Sequence, residues 1–154
     1  MSTEILTDKL EAWRLFLRSY ATITRRLDAD LIAAHGLTLR DYEVLIYLSW
    51  APEGRMRPSD LTDMVILTRS GVTRLLAGLE EAGLVRRDTC PDDRRVIYAT
   101  LTDGGREKLN AARPTHLQGV GELFTDRFDE EELDTLRGLL GNLPITAADL
   151  PPCG

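Results

Sequence analysis

The chain of 154 residues contains only two cysteines and no long apolar run. Cys90 and Cys153 are too few for a disulfide framework and are typical of a reducing compartment. A membrane-spanning helix needs roughly 20 apolar residues in a row, and no segment approaches that length. The N-terminal residues are acidic and amphipathic, unlike a secretory signal. We therefore predict a cytoplasmic protein that does not enter a membrane.

The motifs of catalysis and of metal binding are missing as well. The sequence has no nucleophile motif, no glycine loop that cradles phosphate and no paired carboxylates in a recognisable active-site setting. The acidic run at residues 129–132 falls at a predicted helix start, where the helix dipole favours negative charge. His35, His116 and the two cysteines are isolated from one another, without the short spacings of a zinc site. We expect no enzyme activity, no metal and no cofactor.

The net charge of -6 is distributed unevenly along the chain. Residues 55–106 carry nine arginines and eight acidic residues, a balance of +1, whereas residues 122–154 carry two arginines and eight acidic residues, a balance of -6. The acidic total argues mildly against binding to nucleic acid. The arginine clusters nevertheless allow a basic face to meet a polyanion while the far side of the protein stays acidic.

Residues 7–35 have the periodicity of one long helix. Its apolar face follows alternating spacings of three and four, the a/d pattern of a coiled coil, at Leu10, Trp13, Leu17, Tyr20, Thr24, Leu27 and Leu31. Such a helix is about 40 Å long, which is more than a small domain alone can cover. The pattern therefore favours a second long helix or a second chain, and Gly36 is placed to end the helix as a left-handed cap.

Three further helices are predicted before residue 84. Thr38 with Asp41 begins the first, Pro58 begins a short second one, and Thr68 begins the third, which Gly83 closes. The second and third are joined by a tight turn at residues 66–68, which makes a helix-turn-helix. In that motif the later helix can enter the major groove of DNA with its N-terminus first.

Small and basic side chains occupy the first turns of this later helix, namely Thr68, Arg69, Ser70, Gly71, Thr73 and Arg74. Arginine can donate two hydrogen bonds to guanine or pair with phosphate, and hydroxyl groups can donate to phosphate oxygens or base edges. Taken singly, each residue could equally belong to the solvated face of an amphipathic helix. The whole set, placed directly before a hairpin, favours contact with DNA.

A β-hairpin follows, with strands predicted over residues 84–89 and 96–102 and a loop at 90–95. The loop carries Asp93, Arg94 and Arg95. Asp93 is close enough in sequence to hold the Arg95 guanidinium in one rotamer, which suits insertion into a narrow minor groove. The alternative is a solvated tip with an ion pair worth about 0–1 kcal/mol.

Residues 37–109 resemble the multiple-antibiotic-resistance regulator (MarR) family of winged-helix transcription factors. The matching segments are LTLRDYEVLIYL, RPSDLTDMVILTRSGVTRLLAGLEEAGLVRR and PDDRRVIYATLTDGG. The most specific part is the Asp-x-Arg wing followed by Leu-Thr, here Asp93, Arg95, Leu101 and Thr102. The resemblance implies a mainly α fold with a small β-hairpin wing, in which a winged helix-turn-helix lobe is flanked by N- and C-terminal dimerisation helices.

The resemblance also implies a function. It predicts a homodimeric, ligand-responsive repressor that reads a pseudo-palindromic operator in double-stranded DNA. Many members of the family release DNA when a small aromatic or phenolic ligand, or an oxidant, alters the dimer geometry, and a small aromatic effector is expected here. The helix at residues 69–82 would lie in the major groove and the wing at 90–95 in the minor groove. On this basis we divide the chain into an N-terminal dimerisation helix (1–36), a DNA-binding lobe (37–105), C-terminal dimerisation helices (106–143) and a flexible tail (144–154).

Three features add further expectations. Pro114 lies inside a predicted long helix, where an interior proline costs about 3 kcal/mol or a kink, so we expect a break there. Trp13, Phe16, Tyr20 and Tyr42 could line an effector pocket between the dimer arms and the lobe, although aromatic residues at helical spacing more often belong to a core. Cys90 begins the wing loop, and a bystander thiol is favoured over a redox switch.

Two other classes of function were weighed. A winged-helix module that binds proteins and never reads DNA fits the acidic total charge, but the arginines on both the reading helix and the wing count against it. An enzyme lacks support from any motif.

Overall fold

A computed structural model describes residues 3–144, with side-chain environments from residue 8 onward. The predicted tail falls outside the described residues apart from Pro144, and so does Cys153. The helices are α1 (Thr3–His35), α2 (Leu39–Trp50), α3 (Pro58–Met64), α4 (Arg69–Glu81), α5 (Asp103–Leu123) and α6 (Glu130–Leu140). The strands are β1 (Arg55–Met56), β2 (Val85–Thr89) and β3 (Ile97–Leu101). The predicted fold class, mainly α with a small β-hairpin, is confirmed.

The helix starts and stops lie where local side chains specify them. Thr38 caps α2 through its hydroxyl, which accepts from the Asp41 N–H at 3.0 Å, while the Asp41 carboxylate accepts from the Thr38 N–H at 2.8 Å. This reciprocal capping box satisfies two N–H groups that the helix itself leaves without partners. Gly36 and Gly83 take positive φ angles of 66° and 73° at the ends of α1 and α4, as left-handed caps do.

The sheet has three antiparallel strands in the order β1-β3-β2. The hairpin register pairs Val85 with Leu101 and Thr89 with Ile97. The sequence analysis missed β1, which adds to the free edge of β3 by pairing Arg55 with Thr100 and Met56 with Ala99. Its two residues are too few to show a strand periodicity, so only the pairing with β3 identifies them.

One hydrophobic core joins α1 to the helix-turn-helix. Leu27 and Leu31 of α1 are buried in the same cluster as residues from every other helix up to α5 and from both hairpin strands. The remaining members are Leu37, Leu39, Tyr42, Val44, Leu45, Leu48, Leu61, Val65, Val72, Leu76, Leu79, Val85, Ala99, Leu101, Leu109 and Ala112. The C-terminal half of the long first helix is therefore attached to the lobe that follows it.

The predicted break at Pro114 is wrong, because α5 runs from Asp103 to Leu123 with Pro114 inside it. Tertiary packing compensates for the hydrogen bond that proline removes. On either side of Pro114, Ala112 and Gly119 are buried, and an added Cβ at Gly119 would lie 2.6 Å from the Leu27 side chain. The Thr115 hydroxyl also hydrogen-bonds the His35 ring at 2.7 Å, which ties this turn of α5 to the end of α1.

The outer face of α1 and the whole of α6 present apolar side chains without a covering element. Trp13 is 55% exposed, and α6 has no buried residue, with Leu139 61% exposed. Phe128, Leu136 and Leu139 are among the residues that line an open groove of about 370 Å³. Within residues 3–144, no helix combines the length and the hydropathy that crossing a membrane would require.

Candidate nucleic-acid interface

The helix-turn-helix is built by burying one face of each short helix. Leu61 of α3 and Val65 in the turn are buried, as are Val72 and Leu76 of α4. Because these four side chains point into the core, the first turn of α4 faces outward. The short turn leaves Ile66 80% exposed, beside the start of α4.

The six residues predicted to read DNA lie together at the N-terminal end of α4. The Thr68 hydroxyl accepts from the Gly71 N–H at 3.1 Å and contacts the Ser70 hydroxyl at 3.1 Å, and the Thr73 hydroxyl donates to the Arg69 carbonyl at 2.9 Å. An added Cβ at Gly71 would lie 3.3 Å from the Thr68 hydroxyl. Gly71 therefore leaves room for the helix cap, a local role that the sequence analysis did not identify.

Arg69 and Arg74 complete this end of the helix. Both are exposed, and neither forms an ion pair with any acidic residue in the described part of the chain. A guanidinium with no internal partner keeps its full set of donors for a ligand. This end of α4 therefore places two guanidinium groups with free donors beside three hydroxyl groups that hydrogen-bond locally.

The wing tip is a tight turn that positions Arg95. The Val96 N–H donates to the Asp93 carbonyl at 2.9 Å, and the Cys90 N–H donates to the Val96 carbonyl at 2.9 Å. The Asp93 carboxylate accepts from the Arg95 backbone N–H at 3.0 Å and from its Nε at 3.2 Å. These two hydrogen bonds, in that order, lower the pKa of Asp93. The Arg95 side chain is 92% exposed, so the guanidinium is oriented and still reaches into solvent.

The four arginines of the hairpin divide into two kinds. Arg86 pairs with Asp88 at 3.0 Å and Arg87 pairs with Glu80 of α4 at 3.1 Å, so both are neutralised within the lobe. Arg94 and Arg95 lie at the exposed tip, and Arg94 has no ion-pair partner among the described residues. Arg95 pairs with Asp93 at 3.2 Å, but its side chain is 92% exposed, against 60% for Arg86 and 45% for Arg87, so the tip presents the most accessible positive charge of the hairpin.

Comparison with known proteins gives a consistent relationship. Residues 35–96 match the model of the MarR family. The chain is 37% identical to AbsC of Streptomyces coelicolor, a MarR family transcriptional regulator, with a TM-score of 0.78 over 84% of this chain and 86% of that one. It is 32% identical to Sco3205, another from that organism solved in complex with DNA, with a TM-score of 0.81 over 94% and 93% of the two chains. The chain belongs to the MarR family.

A curated relative extends the relationship. The transcriptional repressor YetL of Bacillus subtilis (strain 168) is 30% identical over 111 residues, which are 72% of this chain and 66% of that protein. MarR family members are transcription regulators and not enzymes, so the family membership confirms the prediction of a non-enzyme.

Arg57 and Arg55 are candidate interface residues that sequence reasoning missed in this MarR family member. Arg57 is exposed between β1 and α3, and its charge helps to lower the pKa of Asp93 after the two bonds from Arg95. Arg55 lies 4.7 Å above the Tyr98 ring and pairs with Glu53. Two arginines either side of one methionine carry no recognisable signal, because their position depends on the pairing of β1 with β3.

The four aromatic residues predicted to line an effector pocket are not gathered on one surface. Trp13 and Phe16 stack at 6.1 Å on the exposed face of α1, where Tyr20 is 48% exposed. Tyr42 is only 2% exposed and packs against His116 at a ring distance of 4.4 Å. This burial raises the pKa of Tyr42. A separate cavity of about 110 Å³ lies between α4 and the hairpin, with Thr73, Arg87 and Ile97 in its lining.

The other residues considered for catalysis, metal binding or redox chemistry do not form a site in the described part of the chain. Cys90 is a free thiol, half-buried at the start of the wing loop. Over the described residues, no group of three or more His, Cys, Asp and Glu side chains is placed to hold a metal ion. The acidic residues of α6 have a structural role, since Asp129 and Glu132 form a reciprocal capping box at 2.8 and 3.0 Å.

Proposed function

We propose that this regulator binds double-stranded DNA as a homodimer and acts as a ligand-responsive repressor. The observation that carries the proposal is that one lobe presents two pairs of solvent-facing guanidinium groups: Arg69 and Arg74 on the reading helix, and Arg94 and Arg95 on the wing. Thr73 and the hairpin residue Ile97 line the same cavity, so helix and wing are adjacent. Helix α4 is expected in the major groove and Arg95 in the minor groove beside it.

The dimer is supported by apolar surface that a soluble monomer would leave in water. Leu10, Trp13 and Leu17 of the predicted coiled-coil seam are each more than 40% exposed, and the groove on α6 adds a second apolar face. Contiguous exposed apolar surface marks interaction sites. We infer that residues 1–36 and 106–143 form the dimer arms around the DNA-binding lobe at 37–105, and that two lobes read half-sites about 10 base pairs apart.

The repressor assignment is supported by the similarity to YetL, a transcriptional repressor. We propose a small aromatic effector held between the arms and the lobe, near Trp13, Phe16 and Tyr20. Tyr42 would reach such a ligand only if the contact between α2 and α5 opened, because it is buried against His116. Quenching of tryptophan fluorescence by added salicylate, lost in Trp13→Leu, would support this location. A response that does not depend on Trp13 would remove it.

Arg95→Ala tests the DNA-binding proposal directly. Losing a charged donor from each subunit should weaken binding to the DNA upstream of the gene by about tenfold or more, the equivalent of at least 1.4 kcal/mol. Arg86→Ala is the matched control, since Arg86 is also a hairpin arginine paired with an acidic residue, Asp88, but lies in β2 away from the wing tip. Gel shifts with both variants, alongside circular dichroism to verify folding, make the comparison.

The same gel shifts distinguish a DNA-binding regulator from the alternative, a protein-interaction module. A chain that binds neither the upstream DNA nor a random duplex at 50 mM salt would be a winged-helix protein-interaction module, as its acidic total charge allows. If Arg95→Ala and the parent bound the upstream DNA with equal affinity, the role of the wing would be refuted, but the DNA-binding proposal would not.

A further inference from the structure

We infer that Arg57 is a third DNA-contacting element, which binds a backbone phosphate beside the wing and positions the lobe without reading sequence. This inference rests on the proposed function. It adds a residue that lies outside both the reading helix and the wing loop.

The backbone places Arg57 on the flank of the wing. Strand β1 pairs antiparallel with β3, with Arg55 opposite Thr100 and Met56 opposite Ala99. Each step forward along β1 is thus a step along β3 towards the hairpin tip. Arg57 continues this extended path, with φ -72° and ψ 142°, before Pro58 begins α3. Its side chain therefore leaves the backbone where the wing and the helix-turn-helix meet.

The charge of Arg57 is available to an external anion. The residue is exposed, its side chain makes no capping hydrogen bond to α3, and no acidic residue of the described chain forms an ion pair with it. Its neighbour Arg55 differs, because Arg55 is held by Glu53 and by the Tyr98 ring. Of these two arginines, only Arg57 keeps its donors for a partner.

The charge of Arg57 acts on the wing tip through space, without a direct ion pair. The Asp93 carboxylate, which orients Arg95, also lies within the electrostatic reach of Arg57. With Asp92 and Asp93 of the wing loop counted against Arg57, Arg94 and Arg95, this end of the sheet keeps a net charge of +1. Such a cluster is complementary to the phosphates that border a minor groove, and arginine is suited to bidentate phosphate contact.

A phosphate contact can be recognised from the salt dependence of DNA binding. Each neutralised phosphate contributes about 0.9 to the slope of log affinity against log salt concentration. Loss of Arg57 from both subunits of a dimer should therefore reduce that slope by about 1.8. Between 50 and 200 mM salt, the affinity advantage of the parent over the variant should shrink by about twelvefold. The loss should be the same on every sequence.

The experiment is a salt titration of binding to two 30-base-pair probes, the DNA upstream of the gene and a mixed-sequence duplex. Arg57→Gln should show the reduced slope on both probes. Arg57→Lys, which keeps the charge, should retain the parent slope. Arg40→Gln is the control, because Arg40 lies on α2, outside the dimer arms, the reading helix and the wing, and pairs with Glu43 at 2.7 Å. Thermal unfolding of each variant verifies that folding is unchanged.

The outcomes are distinguishable. A parent that binds neither probe would overturn the proposed function and this inference together. A parent that binds, with an Arg57→Gln slope equal to its own, would overturn this inference alone. The same result follows if Arg57→Lys loses as much slope as Arg57→Gln, because the role of Arg57 would then be structural.

Discussion

The contact between Leu27 and Gly119 joins α1 to α5, and it can be tested by a pair of substitutions. Leu27 is 6% exposed, and a Cβ added at Gly119 would lie 2.6 Å from its side chain. The glycine therefore lets α5 approach α1 closely enough to bury that leucine. We predict that the two sites are strongly coupled in stability.

The magnitude follows from three terms. Leu27→Ala removes a buried side chain and leaves a cavity, at a cost of about 2–5 kcal/mol. Gly119→Ala gains about 1 kcal/mol in helix propensity but overpacks the contact by about 1–3 kcal/mol. The net effect of that single change is thus neutral to destabilising. In the Leu27→Ala background the added methyl group enters the cavity, so the same change should stabilise by about 1 kcal/mol or more.

The free energy of unfolding is measured for the parent, the two single variants and the double variant by chemical unfolding followed by circular dichroism. One protein concentration is used throughout, since an oligomer would make stability concentration-dependent. For a chain of this length, a loss of 3 kcal/mol corresponds to a melting temperature about 6–12 °C lower. The expected signature is a change of sign for Gly119→Ala between the two backgrounds. Additivity within about 0.5 kcal/mol would refute the close packing of α1 on α5.

Two other outcomes are expected. Burial lowers the pKa of His116 in the folded protein. The unfolded chain, in which the pKa of this histidine is about 6.5, therefore takes up the proton first as the pH falls. The folded protein should be most stable above about pH 6.5 and lose stability as the pH drops from there towards about 5. His116→Phe should flatten that window in thermal melts, and an unchanged slope would exclude His116 as its source. Gly105→Ala would place a Cβ 2.1 Å from the Leu84 carbonyl oxygen and should destabilise the protein by about 2 kcal/mol or more. Its control is Gly78→Ala, whose added Cβ meets nothing within 4 Å and should stabilise the protein by up to about 1 kcal/mol. Equal stability of the two variants in urea unfolding would contradict the close approach at Gly105.

Local chemistry accounts for what the sequence analysis predicted well. The caps at Thr38, Thr68 and Gly83 depend on side chains or backbone angles within a few residues, so the sequence contains all the information they need. The wing turn is equally local, since Asp93 and Arg95 are two residues apart. The family resemblance then supplied the architecture that joins these elements.

The failures share a dependence on distant residues. Pro114 was expected to break α5, but the packing of Gly119 on Leu27 and the bond from Thr115 to His35 keep the helix continuous. Strand β1 exists only because β3 has a free edge to pair with. The position of Arg57 follows from that pairing, which is why neither its arrangement beside Asp93 nor its exposure could be inferred from a linear pattern.

The continuity of α5 has a mechanical consequence. At its start, the Thr102 hydroxyl donates to the Gly83 carbonyl at 2.7 Å, which secures the helix to the root of the hairpin. Further along, Gly119 packs closely against Leu27 of α1. With 21 residues at 1.5 Å each, α5 is an unbroken rod of about 30 Å. Because α1 and the root of the hairpin are attached to opposite ends of one continuous helix, we expect a shift of α1 to be transmitted along α5 to the arginine-bearing hairpin.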